Sequence, residues 1–410
     1  MTSRFMRGAA ALMMVASVLA SPVLAADPAP VAQSDVPTDP VILMRQHWLD
    51  ADINAFNFRH SAEMFETRKV ARAGTVRDLP QGTRIAPPDY AYNGKTRSYD
   101  DFARRTYTNA LLVIRDGKVV FEDYRNNARP SDRFISFSMA KSITSLLVGF
   151  ALEQGKIASL DDPAGKYVPE LKGGAYGDVS IRHILQMRSG VDYEERYDFG
   201  VKPSLAARIH MNAIVANKER FADSAKTITR AAAPGSRFNY ATLDTAVLGW
   251  VVERATGQSL ADFTAANLWG PAGMEDDAFW IADGPQGVGR ELSGMGFNAR
   301  LRDYGRLGQL MLDDGMRAKT RILPAGWMKQ ATTMIPFARP TPFGGKGYGF
   351  QFWQLDSETG AYSALGLAGQ FIYVHPATRT VIVKLSHFPF PEPPDVMPET
   401  LAYFHTLTSR

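Results

Sequence analysis

The chain contains no cysteine among its 410 residues. This absence excludes a thiol nucleophile, a structural disulfide, a zinc site built on thiolates and a lipid-modified cysteine. A charge excess of one sign is also lacking, because 46 basic and 42 acidic side chains are scattered along the chain. A mixed surface of this kind does not predict nucleic acid as a partner.

Long hydrophobic runs are missing as well, apart from a short one near the N-terminus. Residues 9–19 are mostly apolar, but about a dozen such residues are too few for a membrane anchor, which needs roughly 20. Arg4 precedes this run, and small residues lead up to Ala25, as a signal peptidase requires. We therefore predict a signal peptide over residues 1–25, a linker over 26–39, and a periplasmic or secreted mature protein without stable membrane insertion.

Patterns typical of metal and cofactor sites are poorly represented. The seven histidines are spread from His47 to His405 without the paired spacing of a zinc site. The glycine-rich segment GPQGVG at 284–289 does not follow a strand pattern, so it does not predict a nucleotide cradle. We predict no metal and no cofactor.

Strand patterns occur towards both ends of the chain. Residues 110–114 and 119–121 are rich in β-forming side chains and flank an Asp-Gly turn at Asp116, which predicts a hairpin. Further strand patterns occur near the C-terminus, at 348–355, 370–374 and 380–385.

Helical patterns occupy the middle of the chain. From Ser138, apolar residues recur at helical intervals until Gly155, so Ser138 is expected at a helix start. Most of the sequence from there to about residue 299 has helical periodicity or loop composition.

Strands at both ends with helices between predict an α/β (α+β) fold, in which an antiparallel sheet built from both termini is flanked by helices. We predict one domain over residues 40–410. Its α/β part comprises 40–150 and 300–410, and residues 151–299 form an inserted, mostly helical part. An active site is expected in the cleft between the two parts.

The strongest local signal for chemistry is the sequence FSMAKS at 137–142. A serine hydroxyl is a poor nucleophile unless a base or a positive charge lies beside it. Ser138 and Lys141 are three residues apart, so on a helix they share one face. Among the 14 lysines only Lys141 has a serine three residues earlier. The alternative, a capping serine followed by a solvated lysine, stays open on this motif alone.

The surrounding sequence resembles the serine β-lactamase and penicillin-binding superfamily. It is most similar to the class C related branch that includes 6-aminohexanoate-dimer hydrolases and esterases. The matching segments are RFISFSMAKSITS at 133–145, QGKIASLDD at 154–162, IRHILQMRSG at 181–190, PGSRFNY at 234–240, VLGWVVERATG at 247–257 and GLAGQ at 366–370. The resemblance implies a β-lactamase/transpeptidase-like fold with Ser138 as nucleophile and Lys141 as its partner.

The family's second element is a tyrosine that takes the serine proton, commonly written Tyr-x-Asn. Literal matches begin at Tyr107 and Tyr124, but both precede the nucleophile, and we interpret them as accidental. The resemblance assigns the role to Tyr240, which follows a Pro-Gly turn downstream of Ser138, and whether Tyr240 or Lys141 is the formal base stays open. Thr242 replaces the asparagine that commonly binds substrate amides, which puts substrate recognition there in doubt.

The third family element is a strand carrying Lys-Thr-Gly or His-Thr-Gly, whose cation and hydroxyl bind a substrate carboxylate. The corresponding positions are Ala364, Leu365 and Gly366, which offer neither group. The resemblance still implies that the backbone N–H groups of Leu367 and Ser138 can hold an oxyanion.

Taken together, the residues and the resemblance predict an exported serine hydrolase that cleaves small ester or linear amide substrates through an acyl-enzyme. Two alternatives stay open. One is a β-lactamase or D-alanyl-D-alanine carboxypeptidase, and the other is a binding homologue without catalysis.

Overall fold

The computed structural model describes residues 39–200, 202–341 and 344–409. The predicted signal peptide and residues 26–38 of the predicted linker lie outside this range. The chain divides into two units, Met1–Asp39 and Pro40–Arg410, and every element named below belongs to the second.

The strands are two to eight residues long. They are β1 (Glu66–Val70), β2 (Tyr90–Tyr92), β3 (Lys95–Arg97), β4 (Thr108–Arg115), β5 (Lys118–Tyr124), β6 (Phe134–Ile135), β7 (Ala278–Ala282), β8 (Phe297–Ala299), β9 (Met316–Arg317), β10 (Thr320–Arg321), β11 (Ile335–Pro336), β12 (Gly347–Tyr348), β13 (Trp353–Gln354), β14 (Tyr362–Gly366), β15 (Gln370–His375) and β16 (Thr380–Ser386).

The α-helices are α1 (Pro40–Gln46), α2 (Asn54–Asn57), α3 (Ser61–Met64), α4 (Tyr99–Arg105), α5 (Met139–Glu153), α6 (Ala164–Tyr167), α7 (Ile181–Leu185), α8 (Leu205–Ile209), α9 (Thr242–Thr256), α10 (Leu260–Thr264), α11 (Gly270–Ala272), α12 (Leu301–Leu312), α13 (Trp327–Ala331) and α14 (Val396–Thr408). The 3-10 turns are Pro169–Leu171, Phe221–Lys226 and Pro376–Thr378, and the π-helical turns are His210–Val215 and Ala265–Trp269.

The larger sheet has eight antiparallel strands in the order β11-β12-β13-β14-β15-β16-β4-β5. Strand β16, from the C-terminal region, pairs with β4, from the N-terminal region. The sheet is therefore built from both ends of the chain, as the sequence predicted. The predicted hairpin is confirmed: Arg115 pairs with Lys118, and Asp116 and Gly117 both have positive φ, as a two-residue hairpin turn requires.

Helices cover both faces of this sheet. Leu112 and Ile114 of β4 belong to a core packed against α12, whereas Leu111 and Val113 belong to a second core shared with α4 and α14. A strand buried on both faces needs apolar side chains at every position, not at alternate ones. This explains why residues 110–114 form an unbroken apolar run.

Helix α5 lies at the centre of the molecule. It contacts β14 of the larger sheet and α9 of the region that follows, and its residues 139–151 are all buried. The ring of Trp327 packs so closely against Gly149 that a Cβ at this position would collide with it. The glycine therefore permits the close packing of α5 and α13.

The structure also has a second sheet of four strands, in the order β1-β7-β8-β6. The sequence patterns did not predict this sheet. Strands β7 and β8 fall inside residues 151–299, which have mostly helical patterns. The two strands have only five and three residues, too few for a period-two pattern to stand out.

Candidate active site

Ser138 is the residue immediately before α5, in the short connection that follows β6. Phe137, just before it, has φ of 42°, a left-handed conformation that is costly for an aromatic residue and persists only when the surroundings enforce it. The ring of Phe137 is buried against Trp48 at 5.4 Å and Phe58 at 4.9 Å between centroids. Packing of this ring thus fixes the backbone that presents Ser138 at the helix start.

Lys141 lies one turn into α5 and is 1% exposed. Its Nζ donates to Ser138 Oγ at 2.8 Å, to Thr242 Oγ1 at 3.0 Å and to the Gly294 carbonyl at 2.9 Å. Three acceptors satisfy the three donors of an ammonium group. Burial lowers the pKa of Lys141 to about 8, and Glu195 partly opposes that shift. Both protonation states are therefore accessible near neutral pH.

Tyr240 also lies next to Lys141. Its ring centroid is 5.0 Å from Lys141 Nζ, and it lines the cavity together with Ser138. Burial, followed by the charge of Glu195, raises the pKa of Tyr240, whereas the interaction with the Ser138 side chain lowers it. The structure brings the three residues Ser138, Lys141 and Tyr240 together.

Tyr107 and Tyr124 have partners away from this site. The Tyr107 ring is edge-on to His387 at 5.5 Å, and the Tyr124 hydroxyl donates to Glu122 at 2.8 Å. Neither tyrosine is among the described residues that line the cavity at Ser138.

Thr242 begins α9 and is tied into the lysine network. Its hydroxyl accepts from Lys141 and donates to Glu195 Oε1 at 2.8 Å, while its backbone N–H donates to Glu195 Oε2 at 2.6 Å. A carboxylate at a helix N-terminus satisfies a free N–H group and is favoured by the helix dipole. The Thr242 side chain, expected at a substrate-binding position, also lines the cavity, while its hydroxyl donates to Glu195 and accepts from Lys141.

Glu195 and Gly294 are functional candidates that the sequence did not reveal. Glu195 also accepts a bond from the Tyr197 hydroxyl at 2.5 Å, and a Cβ on Gly294 would lie 2.8 Å from Thr242 Cγ2. Glu195 belongs to the acidic and aromatic segment YEERY at 193–197, which has no distinctive spacing. No signal in the sequence could have singled it out.

The end of β14 approaches the backbone of the nucleophile. A Cβ on Gly366 would collide with the Ser136 carbonyl and lie 3.1 Å from Ser138 N, so only glycine permits this contact. Leu367 follows in the turn to β15. Leu365, Gly366 and Leu367 all line the cavity, whereas Ala364 is buried in the core on the opposite face of β14.

The cavity at Ser138 has a volume of about 390 Å³. Its lining is largely apolar and aromatic, with Trp48, Phe238 and Trp353 among the large side chains, and Glu195 and Glu392 are its two carboxylates. Lysine and arginine are missing from the described lining residues. The cavity can hold a small, mainly apolar molecule but offers no exposed cation to a substrate carboxylate.

Residues 39–200, 202–341 and 344–409 contain no group of three or more His, Asp or Glu side chains arranged to hold a metal ion. Among the same residues, no helix has the length and apolar character needed to cross a membrane.

Comparisons with known proteins agree with this geometry. A family model described as Beta-lactamase matches residues 75–405. The chain is 30% identical to the 6-aminohexanoate-dimer hydrolase of Paenarthrobacter ureafaciens over 358 residues, which cover 84% of this chain and 88% of that protein. It is 31% identical to Esterase EstB of Burkholderia gladioli over 199 residues, 44% of this chain and 49% of that protein.

A solved structure has the same fold. It is a Bacillus anthracis protein named after the 6-aminohexanoate-dimer hydrolases, and it superimposes with a TM-score of 0.78 at 23% identity, covering 92% of this chain and 100% of that one. The chain thus belongs to the Beta-lactamase family, and it is a serine hydrolase of that family.

Proposed function

We propose that this hydrolase cleaves ester or linear amide bonds in small molecules through an acyl-enzyme on Ser138. The observation that carries the proposal is the contact of 2.8 Å between Lys141 Nζ and Ser138 Oγ at the wall of an apolar cavity. A serine next to a buried amine is an activated nucleophile, whereas an isolated serine is not.

Proton transfer follows from the two pKa directions. Burial lowers the pKa of Lys141 to about 8 and raises that of Tyr240, so the neutral amine is a more accessible base than the phenolate. Ser138 Oγ attacks the carbonyl carbon and its proton passes to Lys141. The leaving alcohol or amine takes a proton from the Tyr240 phenol, which regains one from the Lys141 ammonium.

The negative charge that develops on the carbonyl oxygen needs donors fixed in advance. The backbone N–H groups of Ser138 and Leu367 are the candidates, since Gly366 holds the end of β14 close to Ser138. In the second half of the reaction, water attacks the acyl-enzyme and gives its proton to the neutral amine of Lys141, and the Lys141 ammonium returns that proton to Ser138 Oγ as it leaves.

The charge of the cavity supports a preference for uncharged and flexible substrates. Penicillins and cephalosporins carry a carboxylate, and here it would meet Glu195 and Glu392 without a lysine or arginine among the described lining residues. A charge-assisted hydrogen bond contributes about 1.5 to 3 kcal/mol, so the loss of one or two lowers specificity by about 10-fold to about 20,000-fold. The names of two relatives, an aminohexanoate-dimer hydrolase and an esterase, favour linear amides and esters.

The test compares kcat/KM for nitrophenyl butyrate, a linear aminohexanoate dimer and a chromogenic cephalosporin on one preparation, with Ser138→Ala as the blank. The cephalosporin is expected to be the poorest of the three substrates. A cephalosporin constant at the top of the series would instead favour a β-lactamase or D-alanyl-D-alanine carboxypeptidase. Absence of turnover with every substrate would favour a binding homologue.

We also propose that the protein is exported, on the strength of the N-terminal sequence. N-terminal sequencing of the protein recovered from cells should give a start near Ala26. A mature protein that retains Met1 would contradict export.

A further inference from the structure

The turn that joins β14 to β15 carries Leu367, the second oxyanion donor of the proposed function. The backbone of this turn has an energetically unfavourable conformation. Ala368 has φ of 58° and Gly369 has φ of 80°. For alanine the left-handed region is disfavoured, so contacts from the surroundings must hold it there.

Gln370 holds this turn from inside the protein. Its side chain is 1% exposed, and its amide nitrogen lies 3.2 Å from the Leu367 carbonyl oxygen and 3.1 Å from that of Ala368. The same side chain is anchored on β16, donating to the Ser386 carbonyl at 2.9 Å and accepting from the Ser386 N–H at 3.1 Å.

Glu392 holds the turn from the cavity side. Its Oε1 accepts from the Ala368 N–H at 2.7 Å, a length typical of a charge-assisted bond. The residue lies between Pro391 and Pro393, whose rings restrict the backbone that carries it. Burial raises the pKa of Glu392, and the bond from Ala368 opposes that shift.

The side chains of Gln370 and Glu392 bind the same peptide group. The peptide between Leu367 and Ala368 has its oxygen bound by Gln370 and its nitrogen bound by Glu392. Rotation of this group would turn the adjoining peptide, which carries the Leu367 N–H. An oxyanion donor contributes fully only when its direction is fixed before the reaction.

We propose that Glu392 is a positioning residue, which keeps the Leu367 N–H aimed at the oxyanion by binding the Ala368 N–H. The proposal rests on the proposed function for the role of Leu367, and on the observed contacts for the restraint itself. It assigns to Glu392 an effect on turnover, not on substrate affinity.

The test compares Glu392→Ala and Glu392→Gln with wild type, using nitrophenyl butyrate as substrate. Alanine removes the acceptor, and kcat should fall about 10- to 100-fold with KM within about threefold. Glutamine keeps an acceptor oxygen, and its kcat should stay within about threefold of wild type. Asp395→Ala, an exposed carboxylate of the same loop, is the matched control and should leave kcat unchanged.

Three outcomes would overturn the proposal: full kcat in Glu392→Ala, a loss confined to KM, or an equal loss in Glu392→Gln. Amide hydrogen exchange over residues 367–370 supplies a readout independent of catalysis, and exchange should quicken in Glu392→Ala but not in Glu392→Gln. Unchanged exchange in Glu392→Ala would contradict the restraint. A wild-type enzyme that turned over no substrate would count against the proposed function, while the exchange result would still decide the restraint.

Discussion

Among the described residues two lysines are buried, Lys141 and Lys384, and only Lys141 contacts a serine that lines the cavity. Lys141 and Lys384 are both at most 1% exposed, and burial lowers the pKa of each. Each also contacts a serine hydroxyl: Lys141 donates to Ser138, and Lys384 donates to Ser386. Burial and a neighbouring serine are therefore shared by both sites.

The two sites differ in what surrounds the pair. Ser138 lines a cavity of about 390 Å³ beside Tyr240, whereas Ser386 is 1% exposed within β16. Lys384 Nζ lies 4.8 Å from the ring centroid of Phe388 and donates to the Thr106 carbonyl. A serine and a lysine become a hydrolytic site only when substrate access, a proton path and oxyanion donors are added.

The largest expected effect is on kcat, and it distinguishes Lys141 from Lys384. Ser138→Ala, Lys141→Ala and Tyr240→Phe should each lower kcat by several orders of magnitude without unfolding the protein, because they belong to one proton network. Lys384→Met should leave kcat within about threefold. Steady-state kinetics with circular dichroism checks both statements. A Tyr240→Phe enzyme within about tenfold of wild type would remove Tyr240 from the mechanism.

The pH profile tests the role given to Lys141. Below its pKa of about 8 the amine is protonated and cannot accept the Ser138 proton. As the pH rises through that value, the neutral form increases, so kcat/KM should rise about 50-fold between pH 6 and pH 8 for a single ionisation. A profile that is flat or falling across this range would contradict Lys141 as the base.

A smaller effect is expected at Thr242, which has no counterpart beside Lys384. Thr242→Val removes the hydroxyl that accepts from Lys141 and donates to Glu195. Leaving a buried polar group without its partner costs about 1 to 3 kcal/mol, which corresponds to a loss of roughly 5- to 150-fold in kcat/KM. Thr242→Ser keeps the hydroxyl and should retain activity. Equal activity in the two variants would show that the hydroxyl is not needed.

The last expected effect concerns the pH dependence of stability that the buried Lys384 causes. Its folded pKa lies well below the ordinary lysine value of 10.5, so the unfolded chain binds the proton more readily. Stability should therefore be lost as the pH falls from about 10.5 towards the folded pKa, at about 1.4 kcal/mol for each unit of pKa difference. In urea unfolding at pH 10 and pH 7, Lys384→Met should weaken this pH dependence. An unchanged dependence would mean that the charge of Lys384 does not affect folding.

The sequence alone predicted those parts of the fold and of the site that are formed by residues close to one another in the chain. The hairpin at Asp116 and Gly117 follows from turn chemistry, and the contact between Ser138 and Lys141 follows from the spacing of residues on α5. Tyr240 required the resemblance to a family, because 102 positions separate it from Ser138 and no periodicity connects them.

The remaining contacts depend on distant segments. Glu195 reaches Thr242 across 47 positions, Gly294 reaches Lys141 across 153, and Glu392 reaches Ala368 across 24. Only the packed fold brings such residues together. The same reason applies to Thr242, whose hydroxyl accepts from Lys141 and donates to Glu195.

The central claim is that Ser138 is activated by Lys141, and covalent labelling tests it most directly. Wild type, Ser138→Ala, Lys141→Ala and Lys384→Met are treated with a fluorophosphonate, and the intact mass is followed in time. Wild type and Lys384→Met should gain one adduct quickly, Lys141→Ala should gain it far more slowly, and Ser138→Ala should gain none. An unlabelled wild type, or labelling of Lys141→Ala at the wild-type rate, would contradict the claim.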